Sequence, residues 1–277
     1  MSSETNKYKI KLKDKKTHEK SLELIFKLAH KWLTEKDEAK PSLRYITKRV
    51  PKELHDKFMF GYFPAENSSV FEFLDELGQL TKDDPVKILE ETKVSSFKYK
   101  NGKGNSSFYY HNPLLIPFYN AYNKPISAAG RTLLSEEEMK EKGISKYKNL
   151  PFPRSMHVFG LNWAVKHILK QNKVILVEGQ FDLTSMIAHK YKHTVALCSA
   201  SLGEDQIILL KRYTNNFYVL FDNDEAGEKG WKSIKRRASQ YNINPTRLSL
   251  PDAFHDIDEC LQKNPSALSQ IKEFSNG

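Results

Sequence analysis

The stretch FYVLFDNDEAG, residues 217–227, decides the fold class of this chain. It is an apolar run that ends abruptly in Asp222 and Asp224, with Asn223 between them. A second apolar run, KVILVE at residues 173–178, ends in Glu178 in the same way. Polar groups directly after a buried strand are typical of an α/β sheet, whose working groups gather at the carboxyl ends of the strands.

Apolar runs and helical patterns alternate through residues 171–277. KVILVEG precedes FDLTSMIAHKY, TVALC precedes GEDQIILLKRY, FYVLFDND precedes EAGEKGWKSIKRRASQY, and RLSLP precedes DIDECLQK. Alternating strands and helices with short connections predict an α/β fold with a mostly parallel central sheet.

Acidic residues follow three of these strands. If the strands that end near Glu178 and Asp222 are neighbours, both residues and Asp224 converge at one edge of the sheet. Asp182 lies one helical turn after Glu178 and can face the same place. The strand RLSL is followed by a further acidic group, which consists of Asp252, Asp256 and Asp258.

Clustered carboxylates repel one another unless a cation neutralises them. Oxygen ligands favour Mg²⁺, Mn²⁺ or Ca²⁺ over zinc, and Mg²⁺ on carboxylates is the usual device for phosphoryl transfer. Taken singly, Asp224 fits a helix N-cap and Glu178 a surface acid. The conjunction of acids at three strand ends favours a cation site over these separate structural roles.

The net charge of +10 is unevenly placed along the 277 residues. Residues 1–170 carry the whole excess of lysine and arginine, whereas residues 171–277 hold 13 basic and 13 acidic residues. A basic part beside an acidic site fits a polyanion partner, although lysine-rich surfaces also keep proteins soluble.

The cysteine content argues against a zinc ribbon, and the apolar runs argue against a membrane-spanning or secreted protein. The two cysteines, Cys198 and Cys260, form no CxxC pair and cannot make a zinc ribbon. No apolar run is long enough to span a bilayer, and the polar N-terminus lacks the core of a signal peptide. A cytoplasmic protein without a membrane partner is therefore expected.

The first 170 residues mix helical and strand patterns. Leu22, Ile25, Phe26, Ala29 and Leu33 share one face of a helix predicted over residues 19–34. Residues 95–111 and 114–131 each predict a hairpin around a polar turn. An α+β subdomain is expected.

Several of these segments resemble a known family. VILVEGQFD and VLFDNDEAG are similar to the Toprim domain of bacterial-type primases, topoisomerases and some nucleases, and LPDAFHDID resembles the LPxxxDxD segment of DnaG-like primases. Upstream, SLRYITKRVPKELHDKFMFGYFP, LLIPFYNAYNKPISAAGR and SKYKNLPFPRSMHVFGL resemble primase blocks in the correct order. The match covers about residues 18–264, and the chain is identified as a member of the DnaG-like primase catalytic cores.

The resemblance implies an organisation of the chain. Residues 1–17 are lysine-rich and lack apolar periodicity, so a basic flexible arm is expected there. The resemblance implies a basic primase subdomain at 18–170, a Toprim subdomain at 171–254 and a short helical tail at 255–277. Neither a zinc-binding nor a helicase-binding domain is recognised. The expectation is a minimal core, either encoded by a phage, plasmid or other mobile element or a compact relative whose zinc module is on another chain.

The resemblance also implies site residues. Glu178, Asp222 and Asp224 would be catalytic and would bind Mg²⁺ or Mn²⁺, with Asp182, Asp256 and Asp258 as further metal ligands. Six residues would contact nucleotides or the template: Arg49, Arg131, Lys146, Tyr147, Asn149 and Arg154. The chain departs from the family at Asn223, where glycine is usual, at Asn112, where arginine is common, and at ALCSASLG, which replaces a Gly-Thr turn.

The function that the resemblance implies is that of a DNA primase, a DNA-dependent RNA polymerase. Such an enzyme copies single-stranded DNA from NTPs into short RNA primers by two-metal nucleotidyl transfer, with an RNA–DNA hybrid as product. A replicative helicase or a separate zinc-binding protein is a further possible partner, in a bacterial or phage-infected cell. The alternatives are a Toprim nuclease and a non-catalytic nucleic-acid-binding module; a type IA topoisomerase is set aside because the chain is too short.

Overall fold

The computed structural model describes residues 12–64, 67–96, 106–107, 109–199, 201–251, 253–254, 256–264 and 272–274. The chain divides into two compact units. The first comprises residues 1–118 and 124–152, and the second comprises residues 119–123 and 153–277. Within the described ranges, no helix combines the length and the apolar content that crossing a bilayer requires.

The first unit contains helices and short strands. Its helices are α1 (Leu12–Glu35), α2 (Lys40–Arg49), α3 (Lys52–Phe58), α4 (Asn67–Gln79), α5 (Pro85–Glu91) and α6 (Glu136–Lys142), with a 3₁₀ turn at Asp37–Ala39. A four-stranded sheet has the order β1-β4-β5-β6, formed by Gly61–Tyr62, Leu114–Tyr119, Pro125–Arg131 and Tyr147–Asn149. A two-stranded ladder pairs β2 (Ser95–Ser96) with β3 (Ser106–Ser107).

Helix α1 forms because its apolar residues recur at helical spacing. The predicted face is confirmed, since Leu22, Ile25, Phe26, Ala29 and Leu33 are all buried. The helix packs against β1 and β5. It begins at Leu12, inside the segment expected to be a flexible arm, and residues 1–11 of that segment lie outside the described residues.

The two predicted hairpins are present in part. Strands β2 and β3 pair Ser95 with Ser107 and Ser96 with Ser106, while the turn expected at 97–105 lies outside the described residues. Strands β4 and β5 are neighbours, and the turn between them is closed by the amide of Asn123, which donates to the carbonyl of Asn120 at 3.0 Å.

The second unit is built on a five-stranded sheet in the order β11-β10-β9-β7-β8. The strands are β7 (Val174–Val177), β8 (Thr194–Ala196), β9 (Phe217–Leu220), β10 (Thr246–Ser249) and β11 (Lys272–Phe274). Neighbouring strands among β10, β9, β7 and β8 pair in parallel, and β11 pairs antiparallel with β10. The mostly parallel sheet predicted from the alternating pattern is thereby confirmed.

Five helices accompany this sheet in the described residues. They are α7 (Leu161–Gln171), α8 (Gln180–Ala188), α9 (Glu204–Lys211), α10 (Glu225–Ser239) and α11 (Ile257–Lys263), with a 3₁₀ turn at Arg154–Met156. Apolar residues of the sheet and of α7, α9 and α10 form one hydrophobic cluster, in which Val174, Phe217 and Ile234 are completely or almost completely buried.

The division of the chain differs from the expected subdomains at three places, the first of which is residues 119–123, which lie in the second unit. Helix α7 lies in the second unit rather than before a boundary at residue 170, because Leu161, Ala164 and Ile168 are buried in that unit's apolar cluster. The expected helical tail at 255–277 contains helix α11 but also β11, whose backbone pairs with β10 from Arg247 to Ser249.

Candidate active site

The carboxyl ends of β7 and β9 bring three of the predicted acids to one edge of the sheet. The two strands are parallel neighbours with Leu176 opposite Val219, as the argument from the sequence required. Glu178 follows β7 directly, and Asp222 comes two residues after β9 ends. The backbone amide of Asp222 and the charge of Asp224 both influence the pKa of Glu178, so the two loops lie close together.

Burial and mutual repulsion raise the pKa values of several acids at this edge. Burial, together with the charges of Asp182, Glu178, Asp256 and Asp224, raises the pKa of Asp222 to about 8. Burial also raises the pKa of Asp182 to about 7, aided by Asp256, Asp258 and Glu178, and raises the pKa of Glu178. These acids therefore act on one another as a single group.

Most of these carboxylates have one oxygen bonded to the protein. Asp224 caps helix α10 by accepting from the amide of Gly227 at 2.7 Å, and Asp256 caps α11 by accepting from Glu259 at 2.6 Å. Asp182 accepts from the amide of Gly179 at 2.8 Å. Helix capping and membership of the acidic edge are thus compatible roles for Asp224.

Asp258 differs from the others because it is almost fully buried. It is 5% exposed, and one of its oxygens accepts a hydrogen bond from the hydroxyl of Ser185 at 2.6 Å. Its charge nevertheless acts on Asp182. Asp252, the remaining acid of this segment, lies outside the described residues.

Within the described part of the chain, two buried carboxyl oxygens at the edge have no hydrogen-bond partner, namely Oε1 of Glu178 and Oδ1 of Asp222. Buried polar atoms normally have partners, so these atoms mark a place where a bound group is expected. In the arrangement described here, however, no set of three histidine, cysteine, aspartate or glutamate side chains within the described ranges is arranged to hold a metal ion. The donors are therefore close to one another without being closed around a common centre.

Arg131 is the most constrained of the predicted nucleic-acid contacts. It lies opposite Tyr147 on the antiparallel pair β5–β6, and its guanidinium is 4.9 Å from the centre of the Tyr147 ring. Its Nε and Nη2 donate to the hydroxyl of Tyr45 at 3.2 and 2.9 Å. The side chain is only 7% exposed, and its buried Nη1 has no hydrogen-bond partner among the residues that the structure describes.

The other predicted contacts are more open. Lys146 is exposed at the start of β6, and Asn149 shares a face of that strand with Tyr147. Arg49 lies 5.1 Å from the ring of Tyr45. Arg154 is exposed in the second unit, and its carbonyl accepts from Gln206 at 3.3 Å.

Sequence reasoning missed Tyr45, and it took Asn112 only as a lost basic contact. Tyr45 precedes Arg49 by four residues on α2, a spacing that places both on one helix face and could have suggested their contact. Its bond to Arg131, 86 residues away, has no local signal. Asn112 is buried, and its amide donates to the carbonyl of Ser145 at 3.0 Å, which anchors the segment that carries Lys146.

Comparisons with known proteins agree with this architecture. A family described as "DNA primase catalytic core, N-terminal domain" matches residues 29–164, and a family described as "Toprim-like" matches residues 175–261. The DNA primase of Synechococcus elongatus is 30% identical over 244 residues, which are 83% of this chain and 33% of that protein.

Solved structures of primases share the fold. The Aquifex aeolicus primase, with its zinc-binding and RNA polymerase domains, aligns with a TM-score of 0.76 at 23% identity over 96% of this chain and 64% of that chain. The DnaG primase catalytic domain bound to single-stranded DNA aligns with a TM-score of 0.74 at 20% identity over 94% and 82%. The chain spans about a third of the length of the curated relatives it matches.

The parallel sheet with an acidic carboxyl edge defines the second unit as a Toprim-like domain. The match to the N-terminal domain of the DNA primase catalytic core precedes it along the chain. The chain belongs to the DnaG-type primase family and contains its catalytic core. Toprim primases depend on metal ions, and the unpartnered carboxyl oxygens of Glu178 and Asp222 fit such an ion in their chemistry.

Proposed function

We propose that this chain is the catalytic core of a DNA primase, which synthesises short RNA primers on single-stranded DNA by nucleotidyl transfer. The observation that carries the proposal is the pair of unpartnered buried oxygens on Glu178 and Asp222. They lie at an edge where the charges of neighbouring acids raise the pKa of Asp222. A purely structural acidic cluster would be expected to satisfy its buried oxygens within the protein.

The acids at the edge would hold the cofactor, which we propose to be Mg²⁺ or Mn²⁺. Glu178, Asp222 and Asp224 are the proposed catalytic ligands, and Asp182, Asp256 and Asp258 would support them. Bound there, the ions would activate an attacking hydroxyl and neutralise a triphosphate. The protein's own contribution is to keep the oxygens of Glu178 and Asp222 unoccupied by protein donors and to hold the surrounding carboxylates in fixed orientations.

The basic residues would bind the substrates. The guanidinium of Arg131 is held by Tyr45 and Tyr147, so its unpaired N–H is preoriented for a phosphate oxygen. Lys146 and Arg154 are exposed and can neutralise further phosphates. Arg49, Tyr147 and Asn149 are proposed contacts to the template or the nucleotide.

The proposed partners are NTPs, a single-stranded DNA template and the RNA–DNA hybrid. A related catalytic domain has been solved with single-stranded DNA, and the excess positive charge of residues 1–170 suits the same ligand. A replicative helicase or a separate zinc-binding protein is proposed as a cooperating factor.

A priming assay tests the proposal. The chain is incubated with single-stranded DNA, NTPs and Mn²⁺ or Mg²⁺, and labelled oligoribonucleotides are separated by length. We expect product from the unsubstituted chain and a loss of more than about 100-fold in Asp222→Asn and Asp224→Asn, because each removes a charge that balances the cation. Asp205→Asn makes the same change at an exposed position in the first turn of α9 and should leave the rate unaltered.

Other outcomes would replace the proposal. A shortened template without oligoribonucleotide would indicate a Toprim nuclease that uses the same acids for hydrolysis. Binding of single-stranded DNA with neither product nor cleavage would indicate a non-catalytic module, provided that Asp222→Asn binds DNA equally well.

A further inference from the structure

The amide side chain of Asn223 joins two loops at the acidic edge. Its Nδ2 donates to the carbonyl of Leu250 at 3.3 Å and to the carbonyl of Phe254 at 3.0 Å. A carboxamide nitrogen has two hydrogens, so this side chain commits its whole donor capacity to these two carbonyls.

The two carbonyls belong to the segment that leads to Asp256. Leu250 follows β10 directly, and the amide of Phe254 closes a turn onto the carbonyl of Pro251 at 3.0 Å. Asp256 lies two residues beyond Phe254 and caps α11. Asn223 itself stands between Asp222 and Asp224, so its bonds connect the loop after β9 with the loop after β10.

The sheet alone leaves these loops unconnected. In the parallel pair β9–β10, the last matched residues are Leu220 and Leu248. The acids lie beyond that point, and the charge of Asp256 acts on Asp222 across the gap. Like charges push the two loops apart when no cation is bound, and Asn223 supplies hydrogen bonds that oppose this separation. Glycine, which the family resemblance leads one to expect at this position, has no side chain that could do so.

We propose that Asn223 is a positioning residue, which ties the segment carrying Asp256 to the Asp222–Asp224 loop and so assembles the acidic edge before a cation binds. The inference rests on the proposed cation site and deepens it. It assigns Asn223 no contact with substrate or metal, because both of its N–H groups are directed to backbone carbonyls.

The affinity of the full chain for Mn²⁺ tests this role. Free Mn²⁺ is measured by electron paramagnetic resonance during a titration of the protein without nucleic acid or NTP. Substitution of residues that orient metal ligands commonly weakens metal binding about tenfold or more, and we expect about a tenfold weaker affinity in Asn223→Ala. Asn223→Gly should give a similar loss, and it serves as a second variant if the alanine variant does not fold.

Asn216→Ala is the matched control. Asn216 precedes the same strand β9 at its opposite end, and its Nδ2 donates to the carbonyl of Asn172 at 2.7 Å. The Asn216→Ala variant therefore loses a comparable hydrogen bond from a side chain to a backbone carbonyl, but away from the acidic edge. Its Mn²⁺ affinity should equal that of the unsubstituted chain. An unaltered affinity in Asn223→Ala and Asn223→Gly, or an equal loss in Asn216→Ala, would overturn the proposal.

Hydrogen exchange separates this inference from the proposed function. In metal-free protein, Asn223→Ala should speed exchange of the Phe254 amide relative to the unsubstituted chain and to Asn216→Ala, because the turn loses its tether. If the unsubstituted chain does not bind Mn²⁺, the proposed cation site fails, whereas the exchange rates still decide whether Asn223 holds the two loops together. Unchanged exchange would show that it does not.

Discussion

One non-glycine residue near the acidic edge, Cys198, has a backbone conformation that usually favours glycine. Cys198 has a φ of 56°, in the left-handed region, and its amide donates to the carbonyl of Glu178 at 2.9 Å. It falls within ALCSASLG, the stretch that replaces a Gly-Thr turn in the family resemblance. Burial raises the pKa of its thiol to about 12, which keeps the thiol protonated at neutral pH.

Replacing Cys198 tests the backbone demand separately from the thiol. A side chain in the left-handed region costs about 1–2 kcal/mol relative to glycine. Cys198→Gly should therefore be more stable than Cys198→Ala by about 1 kcal/mol in the free energy of unfolding, measured by urea denaturation. Because both variants lose the thiol, the comparison cancels its contribution, and an alanine variant as stable as the glycine variant would contradict the strain.

Gly227 meets a different demand, which is close packing. A Cβ at this position would lie 2.1 Å from the carbonyl oxygen of Asp222, so the loop and helix α10 can approach only without a side chain there. Gly227→Ala should lower the free energy of unfolding by about 1–3 kcal/mol, as overpacking does, and should reduce priming because it displaces Asp222.

Gly78→Ala is the control for that substitution. Gly78 lies within α4, where a Cβ would only meet Pro85 at an ordinary 3.5 Å. Alanine is favoured over glycine inside a helix by about 0.5–1 kcal/mol, so this variant should be slightly more stable. Thermal melting of both variants checks the opposite signs, and equal effects would show that the 2.1 Å approach is not limiting.

At the scale of elements, strand pairing and one helix together fix the position of Arg131. The pair β5–β6 places it opposite Tyr147, and α2 supplies the Tyr45 hydroxyl. The sequence predicted the strand that ends at Arg131 because its apolar pattern is local. It could not predict the bond to Tyr45, because no pattern in a single sequence reports a contact between residues so far apart.

Tyr45→Phe tests whether α2 orients Arg131. The variant keeps the ring beside Arg49 but leaves Nε and Nη2 of a nearly buried guanidinium without their acceptor. Hydrogen bonds to charged groups contribute about 1.5–3 kcal/mol, so the KM for NTPs in the priming assay should rise about tenfold or more. Tyr122→Phe, at a 77% exposed position, should leave the KM unaltered. A changed kcat at constant KM would point to another role for Tyr45.

Some elements of the second unit could be predicted from the sequence and others could not. The parallel strands were predictable because each is a short apolar run followed by a helical pattern. The adjacency of β7 and β9 was only a condition of the predicted acidic edge, and the structure meets that condition. Strand β11 was not predicted, since antiparallel pairing with β10 depends on a distant partner rather than on local periodicity. The metal ligands and nucleic-acid contacts among the candidate residues stay predictions, although their strand-end positions and mutual electrostatic influence are observed.

At the scale of the whole molecule, the acidic edge works against the stability of the metal-free chain. A carboxyl group whose pKa is higher in the folded state than in the unfolded state binds more protons when folded. Asp222 and Asp182 ionise near pH 4 when unfolded but at about 8 and 7 when folded. Their contribution therefore favours folding at low pH and is progressively lost as the pH rises from about 4 to 8.

Because the acids lose their protons as the pH rises, the effect of a bound cation on the melting temperature should depend on pH. A divalent ion that replaces the protons should raise the melting temperature more at pH 8 than at pH 6, because more charge repulsion is then relieved. Without cations at pH 8, Asp222→Asn should melt about 2–4 °C or more above the unsubstituted chain, while its response to Mn²⁺ should shrink. Calorimetry of both proteins at the two pH values checks this, and a cation response independent of pH would contradict the coupling among the acids.

The hydrogen bonds that begin the helices also bear on which ion can enter. A carboxylate oxygen that accepts a hydrogen bond keeps a second lone pair but binds a cation less readily, so chelation by both oxygens of one side chain is disfavoured. Calcium usually collects roughly six to eight oxygens, often through such two-oxygen chelation, whereas magnesium takes about six in a tight octahedron and retains water. The groups that would impose this restriction are the amides of Gly179, Gly227 and Glu259 and the hydroxyl of Ser185. The selectivity of the proposed cation site would therefore depend on these hydrogen-bond donors as well as on the acids themselves.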